Sequence, residues 1–456
     1  MQDVVVAGGG SGGYTAAIRA AQLGAKVALV ETAETGGTCV NGGCIPTKVW
    51  LQAASLLRSI PKAKEFGVHA TVEKMDLNAI VERKNGVSGE IRMGMEALLQ
   101  NNGVELIRGR AALKSPREID VEGKLIETRK IIIATGSTLA VPNISGLNEA
   151  AFTTDDVLDM TEVPSSVLVC GSGFIEVEMA FLLNTFGCKV FLVAESRRIL
   201  PREDGDTGQR LAQALREQGV EVLTRSILQS AEKTKTGFSC LISGAKDQSV
   251  EVLKVLVSER RPNTANLGLE PVGMQLNEDG SIQVNENLET TVDGIYAIGD
   301  VTGGWMLSHA ASSMAVVAAE NAVGKPRKFP FHLIPRGIWS FPEVGAVGIS
   351  EEEADEQGLD VEVGDFPYSI NGLAMVRDEV RGAVKIISDA RYGEILGVHI
   401  VGANATELVG EAVLAMQLEA TAKELARSIR VHPTFSESVV DAARDAEGWA
   451  LYLPKR

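Results

Sequence analysis

Two cysteines five residues apart, Cys39 and Cys44, are the side chains of this sequence best suited to chemistry. They lie in the glycine-rich segment 36–48, at the start of a predicted helix, whose N-terminus lowers the pKa of a thiol. A metal site would need two further ligands, but the surrounding sequence contains neither a second cysteine pair nor a histidine. The total of five cysteines indicates a reducing compartment, in which a structural disulfide is not expected. The spacing therefore favours a redox-active pair.

A nucleotide-binding pattern precedes the two cysteines. Gly8, Gly10 and Gly13 satisfy G-x-G-x-x-G between a predicted strand and a predicted helix. Such glycines permit a tight turn, close approach of the backbone to a pyrophosphate, and helix–strand packing. Glu31 ends the next predicted strand, where its carboxylate can accept hydrogen bonds from an adenosine ribose. Glycine turns can also serve packing alone, but strand, helix and acid together predict a dinucleotide-binding site.

A second, altered copy of this pattern contains Gly171 and Gly173, with Glu176 at the position of the third glycine. A carboxylate there could repel a pyrophosphate, at a cost of about 2–3 kcal/mol for charges roughly 6 Å apart. Alternatively, Glu176 turns away to solvent and only favours the helix N-terminus. We favour the second interpretation.

The acidic residue after this second pattern is displaced by one position, because Ala194 ends the predicted strand and Glu195 follows it. Glu195 could still reach a ribose hydroxyl, which favours NAD as the nucleotide. Arg197 and Arg198 stand slightly further on and leave NADP open, since an arginine can accommodate a 2′-phosphate.

A histidine near the C-terminus, His432, precedes Glu437 by five residues. A histidine whose ring is oriented by a carboxylate can act as a general base. The alternative, a surface histidine in a turn, is the more common situation for such a residue.

The order of predicted elements indicates an α/β fold with two Rossmann-like dinucleotide-binding domains. Predicted strands at 131–133 and 295–297 both end in a glycine turn, and the second nucleotide pattern lies between them. We therefore expect the second domain to be inserted into the first. The expected boundaries are 1–141 and 263–330 for the first domain, 142–262 for the inserted one, and 331–456 for an α+β tail.

Composition excludes several other classes of function. The net charge of −16 argues against binding to nucleic acid or to an anionic membrane surface. No apolar run reaches the roughly 18 residues that span a bilayer. The N-terminus looks like a buried strand rather than a signal peptide, which together with the cysteine count predicts a cytoplasmic protein.

Taken together, these residues resemble the pyridine nucleotide–disulfide oxidoreductases, and within them the dihydrolipoamide dehydrogenases. The resemblance runs from about Val4 to Ala446, nearly the whole chain. Its most specific motifs are GGTCVNGGCIPTK at 36–48 and HPTFSE at 432–437. It implies an FAD domain, an inserted NAD domain, a central domain and a C-terminal domain that forms a homodimer.

The resemblance also implies roles for single residues near the flavin. Cys44 would face the flavin as a thiolate, and Cys39 would exchange with the substrate. Lys48 would lie at the reactive edge of the flavin, paired with Glu178. Phe174 would gate the face of the flavin on which nicotinamide stacks.

Further expected roles concern the ends of strands and the C-terminal tail. Thr135 and Gly136, at the end of a predicted strand, would contact FAD, and Asp300 would bind the ribityl chain of the flavin. His432, held by Glu437, would act on the disulfide of the partner subunit.

The expected function is flavin-dependent oxidation of a dithiol, either a small molecule or a lipoyl group on a carrier protein, with electrons passing to NAD. NADP is the less expected acceptor. One alternative is an NAD(P)H-dependent reductase of another disulfide. Another is an FAD electron-relay subunit with an impaired nicotinamide site, which Glu176 suggests. The sequence also departs from the family at Arg430, where a second histidine is usual.

Overall fold

The structure is a computed structural model that describes residues 1–454. Its strands, in chain order, are β1 (Gln2–Ala7), β2 (Val27–Glu31), β3 (Glu105–Arg108), β4 (Ala111–Ser115), β5 (Glu118–Val121), β6 (Lys124–Ile133), β7 (Ser137–Leu139), β8 (Ala151–Thr153), β9 (Ser166–Cys170), β10 (Lys189–Ala194), β11 (Glu221–Thr224), β12 (Ile227–Lys233), β13 (Phe238–Ser243), β14 (Gln248–Val252), β15 (Lys254–Val257), β16 (Arg260–Pro262), β17 (Ile295–Ala297), β18 (Arg336–Ile338), β19 (Val344–Gly348), β20 (Val361–Pro367), β21 (Ala383–Asp389) and β22 (Ile395–Val401).

The α-helices of the described residues are α1 (Ser11–Gln22), α2 (Gly37–Asn41), α3 (Cys44–Lys62), α4 (Leu77–Asn101), α5 (Leu147–Ala150), α6 (Thr154–Leu158), α7 (Phe174–Thr185), α8 (Gly205–Glu217), α9 (Ser308–Ala322), α10 (Glu351–Glu356), α11 (Gly372–Arg377), α12 (Ala405–Gln417), α13 (Ala422–Arg427) and α14 (Ser436–Ala446).

Packing divides the chain into two compact units, and each is discontinuous in sequence. The first unit consists of Met1–Val141, Thr153–Glu162 and Glu259–Pro330. The second unit consists of Pro142–Phe152, Val163–Ser258 and the chain from Phe331 onward.

The first unit is built on a sheet in which β3, β2, β1, β6 and β17 run parallel, in that order. Strand β1 is apolar and buried along Val4–Ala7, as expected for a central parallel strand covered by helices. Helices α1 and α9 pack against each other and against this sheet. An antiparallel meander of β4, β5 and β6 extends it. The carboxyl ends of β1 and β6 therefore meet at one edge, where ligands of such sheets bind.

The second unit contains its own parallel sheet, with strand order β11, β10, β9, β15 and β8. The succession β9–α7–β10 repeats the strand–helix–strand order of β1–α1–β2. A three-stranded antiparallel sheet of β12, β13 and β14 follows, and the apolar side chains on one face of it join the core around β9 and β10.

The C-terminal part of the second unit is an antiparallel sheet in the order β18, β19, β22, β21 and β20. Helices α12, α13 and α14 supply apolar side chains to the core on this sheet. Thr421 and Glu424 form a capping box that begins α13, and α13 ends at Arg427. The chain then runs outside any helix until α14 begins at Ser436.

The predicted α/β fold with two Rossmann-like units and an α+β tail is confirmed. Within the tail, β21 and β22 pair antiparallel, and α12 and α13 follow them. Among the described residues, no helix has both the length and the apolar character needed to cross a membrane.

Candidate active site

The cysteine motif forms two helices rather than one. Cys39 lies inside the short helix α2, and Cys44 is the first residue of α3. Asn41 holds the turn between them, because its amide nitrogen donates hydrogen bonds to the carbonyl oxygens of Thr35 and Gly37, at 3.1 and 2.9 Å. The predicted helix therefore begins at the second cysteine, and the first is brought to it by a separate turn.

The two cysteine side chains are in hydrogen-bond contact, and both are thiols. The pKa of Cys39 is lowered to about 6, and the hydrogen bond from Cys44 is the largest cause. Burial acts in the opposite direction, while the hydroxyls of Ser308 and Ser11 and the charge of Lys48 also contribute to the lowering. Thiols in contact titrate as a pair, so one proton is shared between them. Because the thiolate is the attacking species in disulfide exchange, the pair is suited to that reaction near neutral pH.

The two serines beside Cys39 are the first residues of long helices. Ser11 begins α1 and Ser308 begins α9, and the Ser308 hydroxyl donates a hydrogen bond to that of Ser11 at 2.7 Å. Helix N-termini carry partial positive charge, which favours a nearby thiolate. Sequence analysis missed both serines, since only the packing of α1 against α9 brings them together.

Helix α3 is anchored below the cysteines. Trp50 is fully buried, and its indole N–H donates to the carbonyl oxygen of Leu158 at 3.0 Å. Lys48 lies one helical turn after Cys44 and therefore on the same side of the helix. The expected pairing of Lys48 with Glu178 stays a prediction.

A chain of polar contacts runs from the cysteine motif to Asp300. Arg260 donates hydrogen bonds to the hydroxyl of Thr38, at 3.2 Å, and to the hydroxyl of Ser137, at 2.7 Å. The Ser137 hydroxyl in turn donates to the Asp300 carboxylate at 2.5 Å. No sequence motif points to Arg260 as a site residue. The pairing of β16 with β7 gives it this position, since Arg260 lies opposite Leu139.

The first glycine loop has the three properties expected of a dinucleotide site. Gly8 has a positive φ of 104°, which makes the tight turn. A Cβ atom on Gly13 would lie 1.7 Å from the carbonyl oxygen of Gly8, so only glycine permits this packing of helix on strand. At Gly10, by contrast, the nearest atom to a Cβ is 3.6 Å away, on Gly37, which leaves room for a ligand. The Glu31 carboxylate lies beside this loop and accepts the N–H of Gly9 at 2.6 Å.

The strand end at Thr135 and Gly136 lies next to this loop. The backbone of Ala134 lies against Gly8, because a Cβ atom added to Gly8 would be 2.3 Å from the carbonyl oxygen of Ala134. Thr135 donates from its hydroxyl to the carbonyl oxygen of Asn263 at 2.8 Å, and Gly136 has open space where a Cβ would stand. The first unit therefore brings the expected FAD residues of β1 and β6 to one edge of its sheet.

The second glycine loop contains an acidic side chain. The carboxylate of Glu176 accepts hydrogen bonds from the Ser258 hydroxyl and from the N–H of Gly173. Its Oε2 would lie 2.8 Å from a Cβ on Gly173. The prediction that Glu176 turns to solvent is wrong: the side chain folds back over the turn formed by Gly171 and Gly173. The physical reason is Ser258, which follows β15 and offers the carboxylate a hydrogen-bond donor.

The residues after β10 bear on the choice of nucleotide. Glu195 directly follows this strand and is exposed. Arg198 is engaged elsewhere, because its guanidinium pairs with Glu352 at 2.6 Å and donates to the carbonyl oxygen of Glu203. Arg197 lies 3.8 Å from Glu352 and exposes most of its side chain.

Two further expected site residues lie on α7. Phe174 is its first residue and is half-buried. Glu178, one turn later, is buried, and its carboxylate accepts the N–H of Trp339 at 3.0 Å.

His432 and Glu437 form a hydrogen-bonded pair. Nδ1 of His432 lies 2.9 Å from Oε1 of Glu437, and Oε2 of Glu437 accepts the N–H of Thr434 at 2.8 Å. An ionised carboxylate can only accept, so Nδ1 carries the proton and Nε2 is the basic nitrogen. The His432 side chain is 79% exposed, which leaves Nε2 accessible. Arg430, where the family usually has a histidine, instead pairs with Glu411 of α12 at 2.9 Å.

These features define a class of protein. A dithiol with a lowered pKa lies in the unit that has an open dinucleotide loop, and the second unit repeats the same strand–loop–helix. The fold and the site are those of a nucleotide-dependent dithiol–disulfide oxidoreductase.

Comparison with known proteins identifies the family. Residues 2–315 match pyridine nucleotide-disulphide oxidoreductase, and residues 334–443 match the dimerisation domain of the same family. The chain is 40% identical to a dihydrolipoyl dehydrogenase of Thermus scotoductus, over 100% of this chain and 99% of that protein. It is 36% identical to one of Bacillus subtilis, over 99% of each.

Two solved structures are also similar. LpdA from Mycobacterium tuberculosis has a TM-score of 0.89 and 27% identity, covering 98% of this chain and 99% of that one. The HOCl-induced flavoprotein disulfide reductase RclA from Escherichia coli has a TM-score of 0.84 and 29% identity, covering 96% and 98%. The chain belongs to the pyridine nucleotide-disulphide oxidoreductase family, and it is a flavin-dependent disulfide oxidoreductase similar to dihydrolipoyl dehydrogenase.

The titration of the thiol pair can be measured directly. We expect the reduced protein to be alkylated by iodoacetamide with a rate that rises through pH of about 6, because Cys39 becomes a thiolate there. In Cys44→Ala the hydrogen bond to Cys39 is lost, so the rise should move to higher pH. An unchanged midpoint in that variant would show that the contact between the two thiols does not lower the pKa.

The first glycine loop can be tested with a matched pair of alanines. Gly13→Ala should lower the free energy of unfolding by about 1–3 kcal/mol, because its Cβ would overlap the Gly8 carbonyl. Gly10→Ala should leave the melting temperature of the apoprotein almost unchanged, because its Cβ has space, but the added methyl should weaken retention of FAD. Full flavin content in purified Gly10→Ala would contradict this assignment.

Proposed function

We propose that this chain oxidises a dihydrolipoyl group and passes the electrons through Cys39 and Cys44 and FAD to NAD⁺. The observation that carries the proposal is the thiol contact itself, which is the largest cause of the lowered pKa of Cys39, about 6. The name dihydrolipoyl dehydrogenase of the Thermus and Bacillus relatives supports the lipoyl substrate. That group would be a small dithiol or a lipoyl group on a carrier protein.

The first glycine loop suits FAD as the resident cofactor. Gly8, Gly10 and Gly13 would hold its pyrophosphate at the N-terminus of α1, and Glu31 would accept from its ribose. Asp300 would bind the ribityl chain, in a position that Ser137 and Arg260 maintain. When bound, FAD accepts two electrons from the dithiol and delivers them as hydride to NAD⁺.

The chain's own residues account for the thiol chemistry. Nε2 of His432 takes a proton from one substrate thiol, and the resulting thiolate attacks the Cys39 sulfur of the oxidised pair. The bond between the two cysteine sulfurs breaks, and Cys44 leaves as a thiolate. The second substrate thiol then displaces Cys39, which takes up the proton of that thiol and leaves as a thiol. The substrate leaves as a disulfide that has lost two electrons and two protons, one proton to Nε2 of His432 and one to Cys39. Glu437 keeps the proton on Nδ1 throughout.

We propose that His432 serves the cysteine pair of a partner subunit in a homodimer. The match of residues 334–443 to the family's dimerisation domain supports this arrangement. So does the surface around His432, since Ile429 and Val431 are 95% and 77% exposed. Large apolar side chains exposed in one region are typical of a surface that a partner covers.

The nicotinamide nucleotide would bind the second unit. We assign residues 142–262 to a nicotinamide-binding domain that contains the second glycine loop. Residues 1–141 and 263–330 would form the FAD and central domains, and residues 331–456 the dimerisation domain. The exposed Glu195 supports NAD over NADP, because its carboxylate would accept from a 2′-hydroxyl and repel a 2′-phosphate. The engagement of Arg198 by Glu352 supports the same choice. A cytoplasmic location follows from the reducing compartment that the cysteine count indicates.

The proposal is tested by anaerobic addition of dihydrolipoamide to the FAD-loaded enzyme. The flavin absorbance should bleach in the wild type and stay oxidised in Cys44→Ser, which cannot form the disulfide. Cys188→Ala is the matched control, because it removes a buried cysteine of the second unit that has no part in the site. Bleaching of Cys44→Ser at the wild-type rate would contradict the proposed function.

His432→Gln tests the proposed base. Turnover with dihydrolipoamide should fall about 10²–10⁴-fold, because no basic nitrogen remains to take the substrate proton. FAD content and anaerobic reduction of the flavin by NADH should not change, since neither step needs His432. His69→Gln, which alters an exposed histidine of the first unit, should behave as the wild type. Equal turnover in both variants would show that the base has been misassigned.

A further inference from the structure

The two glycine loops have similar backbone angles at two corresponding residues. The first turn residue of each has a positive φ, 104° at Gly8 and 114° at Gly171. The residue before each helix has nearly identical angles, with φ and ψ of −74° and −171° at Gly10 and −76° and −170° at Gly173. The helices that follow, α1 and α7, have 12 residues each. The chain therefore builds two similar turns, each of which leads into a helix N-terminus.

The two turns, 8–13 and 171–176, differ at four of their six positions, and only one of these differences introduces a charged side chain. Where the first loop has Gly13, the second has Glu176. In the first loop the space above Gly10 is open, because a Cβ atom on Gly10 would lie 3.6 Å from its nearest neighbour, the Cα atom of Gly37. In the second loop the corresponding space above Gly173 contains the Glu176 carboxylate, whose Oε2 would be 2.8 Å from a Cβ atom on Gly173.

The Glu176 carboxylate is bound in that place by hydrogen bonds. The Ser258 hydroxyl donates to its Oε1, and the backbone N–H groups of Gly173 and of Glu176 itself donate as well. Burial raises the pKa of this carboxyl, and these hydrogen bonds oppose the rise. Backbone N–H groups at the start of a helix are the donors that hold a nucleotide pyrophosphate. The carboxylate thus takes hydrogen bonds that an incoming pyrophosphate would need.

We propose that Glu176 is an internal competitor for the pyrophosphate of the nicotinamide nucleotide, held in the second glycine loop by Ser258. This inference rests on the proposed function, because it assigns that loop to NAD. The nucleotide binds only after Glu176 has left Gly173, so Glu176 sets a weak affinity for NAD and NADH. The angles at Gly171 and Gly173 are close to those of the first loop, so the N–H groups at the start of α7 can receive a pyrophosphate once Glu176 has moved away.

A purely structural role for Glu176 makes the opposite prediction. An acidic residue in the first turn stabilises a helix, so a capping role alone means that its removal destabilises α7 and leaves nucleotide binding equal or weaker. An internal competitor means that its removal makes binding tighter. The direction of the change in affinity separates the two roles.

The experiment measures the Kd of ADP-ribose for the FAD-loaded enzyme by calorimetry. ADP-ribose carries the pyrophosphate and adenosine but undergoes no redox reaction, so the readout does not depend on turnover. Glu176→Gly, which restores the glycine of the first loop, should lower the Kd about tenfold or more. Glu176→Gln keeps the size of the side chain but removes its charge, and should give an intermediate Kd. An unchanged or higher Kd in Glu176→Gly would overturn the inference, as would a wild-type Kd in Glu176→Gln.

Ser258→Ala keeps the inference testable if Glu176→Gly does not fold. Without the hydroxyl the carboxylate is held less firmly, so the Kd of ADP-ribose should fall by a smaller factor than in Glu176→Gly. A higher Kd in Ser258→Ala would count against internal competition.

Two controls separate this inference from the proposed function. Reduction of the flavin by 1-benzyl-1,4-dihydronicotinamide, which has no phosphate, should proceed equally in the wild type and all three variants. If the variants accelerate this reaction as much as the reaction with NADH, Glu176 does not act on the pyrophosphate. Reduction of the flavin by dihydrolipoamide uses no nicotinamide, so its failure in every variant would refute the proposed function and not the role of Glu176.

Discussion

The contact between the Cys39 and Cys44 side chains is the interaction on which the proposed chemistry of this protein depends. One sulfur can be a thiolate near neutral pH because the other donates a hydrogen bond to it. The contact exists because α2 and α3 meet at a turn that Asn41 holds through backbone carbonyls. A longer or looser connection would separate the sulfurs, and the pKa of Cys39 would return towards the usual thiol value of about 8.5. The local backbone of the motif is therefore as important as the cysteines.

The rest of the first unit connects this pair to the edge of a parallel sheet. Ser11 and Ser308, at the starts of α1 and α9, lie against Cys39, so the same helix N-termini that line a dinucleotide site also favour the thiolate. Arg260 links the cysteine motif to Asp300 through Ser137. A cofactor bound at this edge would thus share its polar surroundings with the dithiol, which is the arrangement that electron transfer between them requires.

The second unit repeats the strand–loop–helix of the first, but its loop is proposed to bind a nucleotide more weakly. Its loop has the backbone angles of the first at Gly171 and Gly173, so the N–H groups that begin α7 can bind an anion in the same way. Glu176 makes that capacity conditional, because an internal carboxylate already accepts the loop N–H and the Ser258 hydroxyl. A cofactor that stays bound requires high affinity, and an unoccupied loop provides it. A nucleotide that binds and dissociates in each turnover requires only weak affinity, so a loop from which a carboxylate must first be displaced is sufficient.

The sequence by itself determined what depends on neighbours along the chain. The strand–glycine–helix units, the spacing of the cysteines and the proximity of His432 to Glu437 are local, since a single turn brings such residues together. Only the tertiary structure decided which distant side chains surround them. Ser308 and Arg260 reach the cysteine motif because α9 packs on α1 and β16 pairs with β7, and no local pattern encodes those contacts. The direction of the Glu176 side chain likewise depends on a distant residue. Its position at the start of α7 allows the side chain to point either to solvent or over the loop. The hydroxyl of Ser258, after β15, donates a hydrogen bond that selects the loop.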